Sequence, residues 1–201
     1  MNYPIHSIGV VILAAGQSSR LGKPKQLLTL NGLTLLEKAA SAALDLNSSP
    51  VLVVLGAYAD DIMSNVHLQG VDIVVNEGWE EGMASSLRMG IEYMQQNHSN
   101  VDGILFLVCD QPYLHSTLLN DLVALQKEKD LPIAASSYGG KIGTPALFHQ
   151  STFSSLMLLK GDTGARKLLD ERMNDVAVLH FEKGVYDIDT VEDYEQLLHG
   201  K

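Results

Sequence analysis

Arg20, Lys23 and Lys25 stand close together in a chain that has only 14 lysines and arginines in 201 residues. They end the segment Leu13-Ala14-Ala15-Gly16-Gln17-Ser18-Ser19-Arg20-Leu21-Gly22-Lys23-Pro24-Lys25. Its small residues let a backbone approach a ligand closely, and exposed N–H groups in such a turn can cradle phosphate oxygens. Arg20 can grip a phosphate with two parallel hydrogen bonds, while Lys25 offers a mobile point charge. A solvated turn with incidental basic residues would look the same by composition. The segment has neither the Gly-Lys-Ser/Thr of a P-loop nor the Gly-x-Gly-x-x-Gly of a dinucleotide fingerprint.

The acidic counterparts lie far along the chain. Asp110 follows the apolar run Ile104 to Val108 and precedes Pro112, which breaks pairing, so it stands at a strand's carboxyl end. A carboxylate there can hold Mg²⁺, a hard cation that takes oxygen ligands and bridges to phosphates, or it can stabilise its own turn. Asp187 and Asp189 are two apart, so on a strand both face one way and can complete a metal site with Asp110. The division we expect is Asp187 near the metal and Asp189 shared or structural, with Asp189 or Thr190 as an alternative cap for the last helix and Asp193 in its first turn. Gly82-Met83-Ala84-Ser85-Ser86-Leu87 should open a helix whose N-terminus suits an anion, with Ser85 and Ser86 either contacting a ligand or capping. Cys109 reads as a small buried residue, and the seven histidines lack metal-ligand spacing.

Elements that could position these residues are legible. Ile8 to Leu13, Val51 to Leu55, Val71 to Val75 and Ile104 to Val108 are short Val/Ile-rich runs that suit parallel strands buried on both faces. Between them, Leu35 to Leu46 and Ala84 to Gln96 have helical spacing, and Thr34 with Glu37 makes a capping-box pattern. Val176 to Phe181 and Val185 to Ile188 read as strands, and Val191 to Leu198 as a closing helix. This alternation predicts an α/β fold: one domain over 1–201 with a doubly wound, mostly parallel sheet and helices on both faces. Ligands of such sheets bind beyond the strands' carboxyl ends.

The net charge of −10 argues against a broad footprint on nucleic acid, and 46% hydrophobic content with 19% charged residues is ordinary for a globular protein. One cysteine excludes a disulfide framework. No run is long and apolar enough for a membrane span, and the first residues do not resemble a secretory signal, so a cytoplasmic location is expected.

Leu-Ala-Ala-Gly-x-Ser-x-Arg-x-Gly-x-x-Lys resembles the signature loop of nucleotidyltransferases that join an NTP to a phosphorylated acceptor. More narrowly it is similar to that of the molybdenum cofactor cytidylyltransferases and their NTP-transferase relatives. The likeness continues in order through Asn76, Gly82 to Leu87, Cys109-Asp110-Gln111-Pro112, Gly161-Asp162-Thr163-Gly164-Ala165-Arg166 and Asp187-Ile188-Asp189-Thr190. It implies a Rossmann-like nucleotidyltransferase fold, with a nucleotide part over about 1–112 and an acceptor part over about 113–201. Arg20, Lys25 and Asp110 would be catalytic, and Asp110 and Asp187 would hold Mg²⁺. Nucleotide contacts would come from Leu13, Ala14, Ala15, Gly16, Arg20, Lys25, Asn76, Gly82, Ser85 and Ser86, and acceptor contacts from Asp162 and Arg166. Guanylyl-transferring relatives carry a second glycine where Ala15 stands, so the resemblance implies CTP, with a molybdenum-molybdopterin acceptor. Gly143-Thr144-Pro145 stands where the cytidylyltransferases often read Gly-His-Pro. Another phosphorylated acceptor, or a non-catalytic molybdopterin carrier serving a molybdoenzyme or its maturation, are the alternatives.

Overall fold

Runs of β-branched residues become strands here because side chains alternate across a pleat and both faces can be covered. The structure, a computed structural model, describes residues 2–46 and 50–199. Its elements run β1 (Ile8–Ala14), β2 (Thr29–Leu30), β3 (Leu33–Thr34), α1 (Leu35–Leu44), β4 (Val51–Leu55), α2 (Ala59–Asn65), β5 (Asp72–Val75) and α3 (Met83–Asn97). They continue through β6 (Gly103–Val108), α4 (Ser116–Lys129), β7 (Ile133–Tyr138), β8 (Lys141–His149), α5 (Phe153–Met157), α6 (Arg166–Glu171), β9 (Val176–His180) and α7 (Val191–His199). The strands, apart from the small β2–β3 ribbon, form a 7-stranded sheet in the order β5-β4-β1-β6-β8-β7-β9. Every strand in it is parallel except β8, which runs against both β6 and β7.

Both faces are covered. Val10, Ile12 and Ala14 point toward α1, α2 and α4, while Val11 and Leu13 point toward α3, α5 and α6. The expected capping box starts α1: Glu37 N–H donates to Thr34 Oγ1 at 3.1 Å and Thr34 N–H to Glu37 Oε2 at 2.8 Å. α7 begins with the same reciprocal pair, Asp193 N–H to Thr190 Oγ1 at 3.1 Å and Thr190 N–H to Asp193 Oδ2 at 2.8 Å. Among the described residues, no helix is long and apolar enough to cross a membrane.

One expected strand is absent. Val185 to Ile188 does not join the sheet: Glu182–Val185 is a 3₁₀ turn, and Tyr186 to Ile188 continue as irregular chain. Gly184 N–H donates to the Phe181 carbonyl at 2.9 Å, and Gly184 packs so closely on Tyr138 that a Cβ would lie 2.5 Å from its ring. This contact turns the chain away from the edge, leaving Val185 and Tyr186 exposed. Asp187 and Asp189 therefore do not share a strand face. The loop is instead pinned beneath Asp110, whose carbonyl accepts from Ile188 N–H at 3.0 Å.

Candidate active site

The sheet's connections step outward from β1 to β4 and β5, then return to the other side of β1 at β6, which makes β1/β6 the topological switch point. Leu13 pairs with Val108 in register, so Ala15-Gly16 and Cys109-Asp110 leave the sheet side by side. Between them lies a cavity of about 300 Å³, lined by Leu13, Ala14, Ala15, Gly16, Lys25 and Asp110 among others. The buried Gln26 shapes its floor by donating through Nε2 to the carbonyls of Ala14 (2.7 Å) and Gly16 (3.2 Å). The Ala15 carbonyl accepts from Ala57 N–H at 3.1 Å. A trans peptide points its N–H opposite its carbonyl, so the N–H groups of Ala15, Gly16 and Gln17 face away from these anchors, as a turn that binds acceptors requires.

At the mouth, cations and carboxylates neutralise one another. The Lys25 ammonium donates to Asp110 Oδ2 and, at 3.1 Å, to Asp189 Oδ1; Arg20 Nη2 meets Asp189 Oδ2 at 2.8 Å. Burial opposes the charge on Lys25, but Asp110 leads the groups that outweigh it, so its pKa stands above the ordinary lysine value. Asp189 is held below the usual carboxylate range: partial burial pushes it up, and Lys25 followed by Arg20 overcomes this. Asp187 goes the other way, to about 6, because protein crowds its carboxyl and Asp110 and Asp189 add negative charge. Burial, then the charge on Asp110, pushes the Cys109 thiol up to about 12, which suits a packing residue and not a thiolate nucleophile.

A second cavity of about 400 Å³ opens beyond β6, where the antiparallel β8 brings Lys141 to Thr144 to the same sheet edge. Tyr138, Ile142, Leu169 and Val185 give it apolar walls, Lys141 and Arg166 supply cations, and Asp187 lies on its rim. Arg166 also makes an exposed i,i+4 pair with Asp170 at 3.8 Å, of the kind that contributes little to stability.

Of the residues singled out in the sequence, Leu13, Ala14, Ala15, Gly16, Lys25, Gly82, Ser86 and Asp110 line the first cavity, and Arg166 and Asp187 the second. Arg20 stands outside both linings, on Asp189. Asp162, expected on the acceptor side, lines the first cavity and not the second, because Gly82 and Gly161 pack their loops together there. Asn76 and Ser85 lie beneath the wall: buried Asn76 donates to Ser85 Oγ (2.8 Å) and Ser86 Oγ (3.0 Å) and accepts from Gly78 N–H (3.0 Å). Trp79, Gln26, Tyr138 and Lys141 were not foreseen. Trp79 had one available signal, as the chain's single tryptophan. The fold seats it over Ala15 by way of Gly56, where an added Cβ would lie 2.6 Å from the Trp79 Cβ and 2.8 Å from that of Ala15.

The donor set near Asp110 suits a hard divalent cation. Two carboxylates, Asp110 and Asp187, are close enough for one to raise the other's pKa, a negative field that such a cation relieves. Among the described residues, no group of three or more His, Cys, Asp or Glu could hold a metal alone. Mg²⁺ commonly takes one or two carboxylates and completes its shell with substrate phosphates and water.

Comparison with known proteins agrees with this geometry. The chain is 34% identical over 198 residues to the nicotine blue oxidoreductase of Paenarthrobacter nicotinovorans, covering 94% of this chain and 95% of that one. It is 33% identical over 202 residues to the purine catabolism protein PucB of Bacillus subtilis, covering 93% and 94%. The crystal structure of Rv0371c from Mycobacterium tuberculosis superposes with a TM-score of 0.84 at 32% identity over 96% of this chain and 97% of that one. A second structure of Rv0371c, in complex with manganese, matches with a TM-score of 0.80 at 28% identity, over 98% and 100% of the two chains. Residues 10–176 match the MobA-like NTP transferase domain, and the chain belongs to that family of nucleotidyltransferases.

Proposed function

We propose that the protein transfers a nucleoside monophosphate, CMP from CTP, onto the phosphate of a molybdenum-molybdopterin acceptor and releases pyrophosphate. The observation that carries this reading is the meeting of two cavities at the sheet edge, with Lys25 and Asp110 in the first and Asp187 with Arg166 in the second. The nucleotide part, about 1–112, supplies nearly all of the first cavity, and the acceptor part, about 113–201, most of the second. Trp79 and Ala15 flank the seat of the base, and Ala15, in place of a second glycine, favours cytosine. The apolar walls around Tyr138 suit a flat heterocycle, and Lys141 and Arg166 suit its phosphate. Thr144 rather than histidine faces that acceptor.

An acceptor phosphate oxygen attacks the α-phosphorus as the bond to the bridging oxygen breaks, and its electron pair leaves with pyrophosphate. The nucleophile is already anionic, so the protein's task is alignment and charge neutralisation. Without substrate, Lys25 and Arg20 are occupied by Asp110 and Asp189. When the triphosphate enters, both cations exchange carboxylate for phosphate, Lys25 toward the α-phosphate and Arg20 toward the leaving pyrophosphate. Asp110, freed of the ammonium, would hold Mg²⁺ together with Asp187, and the ion would supply Lewis-acid neutralisation at phosphate oxygens when bound. Asp189 keeps the cations poised between these states. Gln26 and Asn76 touch no substrate; they hold the turn and the helix start in place.

The test is Asp110→Asn. Pyrophosphate release with Mg²⁺, CTP and acceptor should fall by about 10²–10³, with far-UV circular dichroism unchanged; near-normal turnover refutes the assignment. The name of the Paenarthrobacter relative favours a second reading, an oxidoreductase using the same cavities. Oxidoreduction releases no pyrophosphate, so acceptor-dependent release by the wild type separates the two.

A further inference from the structure

The two cavities share only two lining residues, Val108 and Met83. Val108 is fixed as the last residue of β6, in register with Leu13. Met83 is different: it is the first residue of α3, 44% exposed, at the place where nucleotide and acceptor must meet.

Its surroundings hold the backbone and leave the side chain room. Gly82 has φ 111°, a conformation that favours glycine, and a Cβ there would fall 2.5 Å from the Gly161 carbonyl carbon. Ala84 N–H donates to the Gly161 carbonyl at 3.0 Å. Arg88, one turn on, reaches the Leu159 carbonyl at 2.7 Å and Glu81 Oε2 at 2.5 Å. The start of α3 is thus clamped to the 159–164 loop. Gly164 then opens a notch for the thioether, since a Cβ there would lie 2.7 Å from Met83 Sδ. An unbranched, apolar side chain with three rotatable bonds adapts readily, and it cannot serve as a proton donor or an anion ligand.

We infer that Met83 is the movable partition between the two substrate cavities, closing the nucleotide side to water that would approach through the second cavity until a phosphorylated acceptor displaces its thioether. This rests on the transfer reading above. The reaction that it suppresses is attack of water on the α-phosphorus: a new P–O bond forms and the bond to the bridging oxygen breaks. Nucleoside monophosphate and pyrophosphate are released, and the water's proton passes to solvent. Excluding water from a reactive centre is a familiar task of active-site walls. Met83 does it by filling space, so it determines how transfer is partitioned against hydrolysis and is not a catalytic residue.

The experiment measures CMP and pyrophosphate formed from CTP and Mg²⁺, with and without molybdenum-loaded molybdopterin, for wild type, Met83→Ala and Met83→Leu. Met83→Ala should raise the ratio of hydrolysis to transfer by about tenfold and lower the acceptor KM, since no thioether then has to be displaced, with the CTP KM little changed. Met83→Leu, which restores apolar volume, should return the ratio to near the wild-type value. An unchanged ratio in Met83→Ala, beside normal wild-type transfer, overturns the partition and leaves the transfer reading intact. A wild-type protein that transfers to no acceptor overturns both. A loss of both activities in Met83→Ala with no rescue by leucine makes Met83 structural and also overturns the partition.

Discussion

Replacing Lys25 by methionine removes the one ammonium that touches both Asp110 and Asp189 and leaves the side-chain volume nearly unchanged. The Lys25 and Asp110 side chains are each 17% exposed, so the pair lies in the partly buried regime, where stranding a charge costs about 3–5 kcal/mol. Two features reduce that figure. Asp189 is 39% exposed and keeps Arg20, and the site opens to water on one side, so a loss of about 2–3 kcal/mol is expected. For a chain of this length that lowers Tm by about 4–12 °C. Asp110 and Asp187 are then left without their shared counter-charge, and a divalent cation should fill the gap. Mg²⁺ at about a hundred times its dissociation constant contributes about 2.7 kcal/mol, enough to restore most of the loss. In the wild type the ion must first displace the ammonium, so its stabilisation should be smaller. The assay is thermal unfolding of both proteins in EDTA and across a Mg²⁺ titration. A variant as stable as wild type in EDTA, or one whose response to Mg²⁺ is no larger, would refute the reasoning.

Asp187 predicts a pH dependence. Its folded pKa of about 6 lies above its ordinary value, so the native state binds the proton more tightly and stability is lost as pH rises from about 4 to about 6. Asp187→Asn should therefore stabilise the metal-free protein at pH 7.5 and change nothing near pH 3.5; urea midpoints at the two pH values decide it, and equal effects contradict the assignment. Protons should also compete with Mg²⁺ as pH falls below about 6, read as a rising Mg²⁺ requirement. Trp79 is the only tryptophan and lines the first cavity, so on the proposed reading CTP should quench intrinsic fluorescence saturably, while a ligand confined to the second cavity should not. Fluorescence unmoved by CTP at concentrations that support turnover would place the base elsewhere.

The parallel half of the sheet was legible because β1, β4 and β6 are buried on both faces and, like the partly exposed edge strand β5, read as near-continuous apolar runs. The same holds for the α1 cap, which Thr34 and Glu37 specify locally. The C-terminal part was less so. β8 contains Gly143, Thr144 and Pro145, which read as a break, yet it spans nine residues by pairing with β6 on one side and β7 on the other. Val185 to Ile188 has the composition of a strand, and tertiary contacts, Gly184 on Tyr138 and Ile188 N–H on the Asp110 carbonyl, hold it away from an edge. At the site, the first loop and Asp110 stand out by residue type, and the fold places both on the first cavity. Residue type could not show that Asn76 hydrogen-bonds the two serines, nor that Asp162 lines the first cavity, since both follow from how loops pack. Gln26 was invisible for the same reason: its role is to hold two backbone carbonyls close to it in the chain.

The central claim is nucleotidyl transfer, and pyrophosphate release tests it most directly. With Mg²⁺ and each of the four NTPs, with and without molybdenum-loaded molybdopterin, release should occur with CTP and the pterin together and give a cytidylylated product. Equal release with every NTP, or saturable CTP binding with no release in the pterin's presence, would contradict the account.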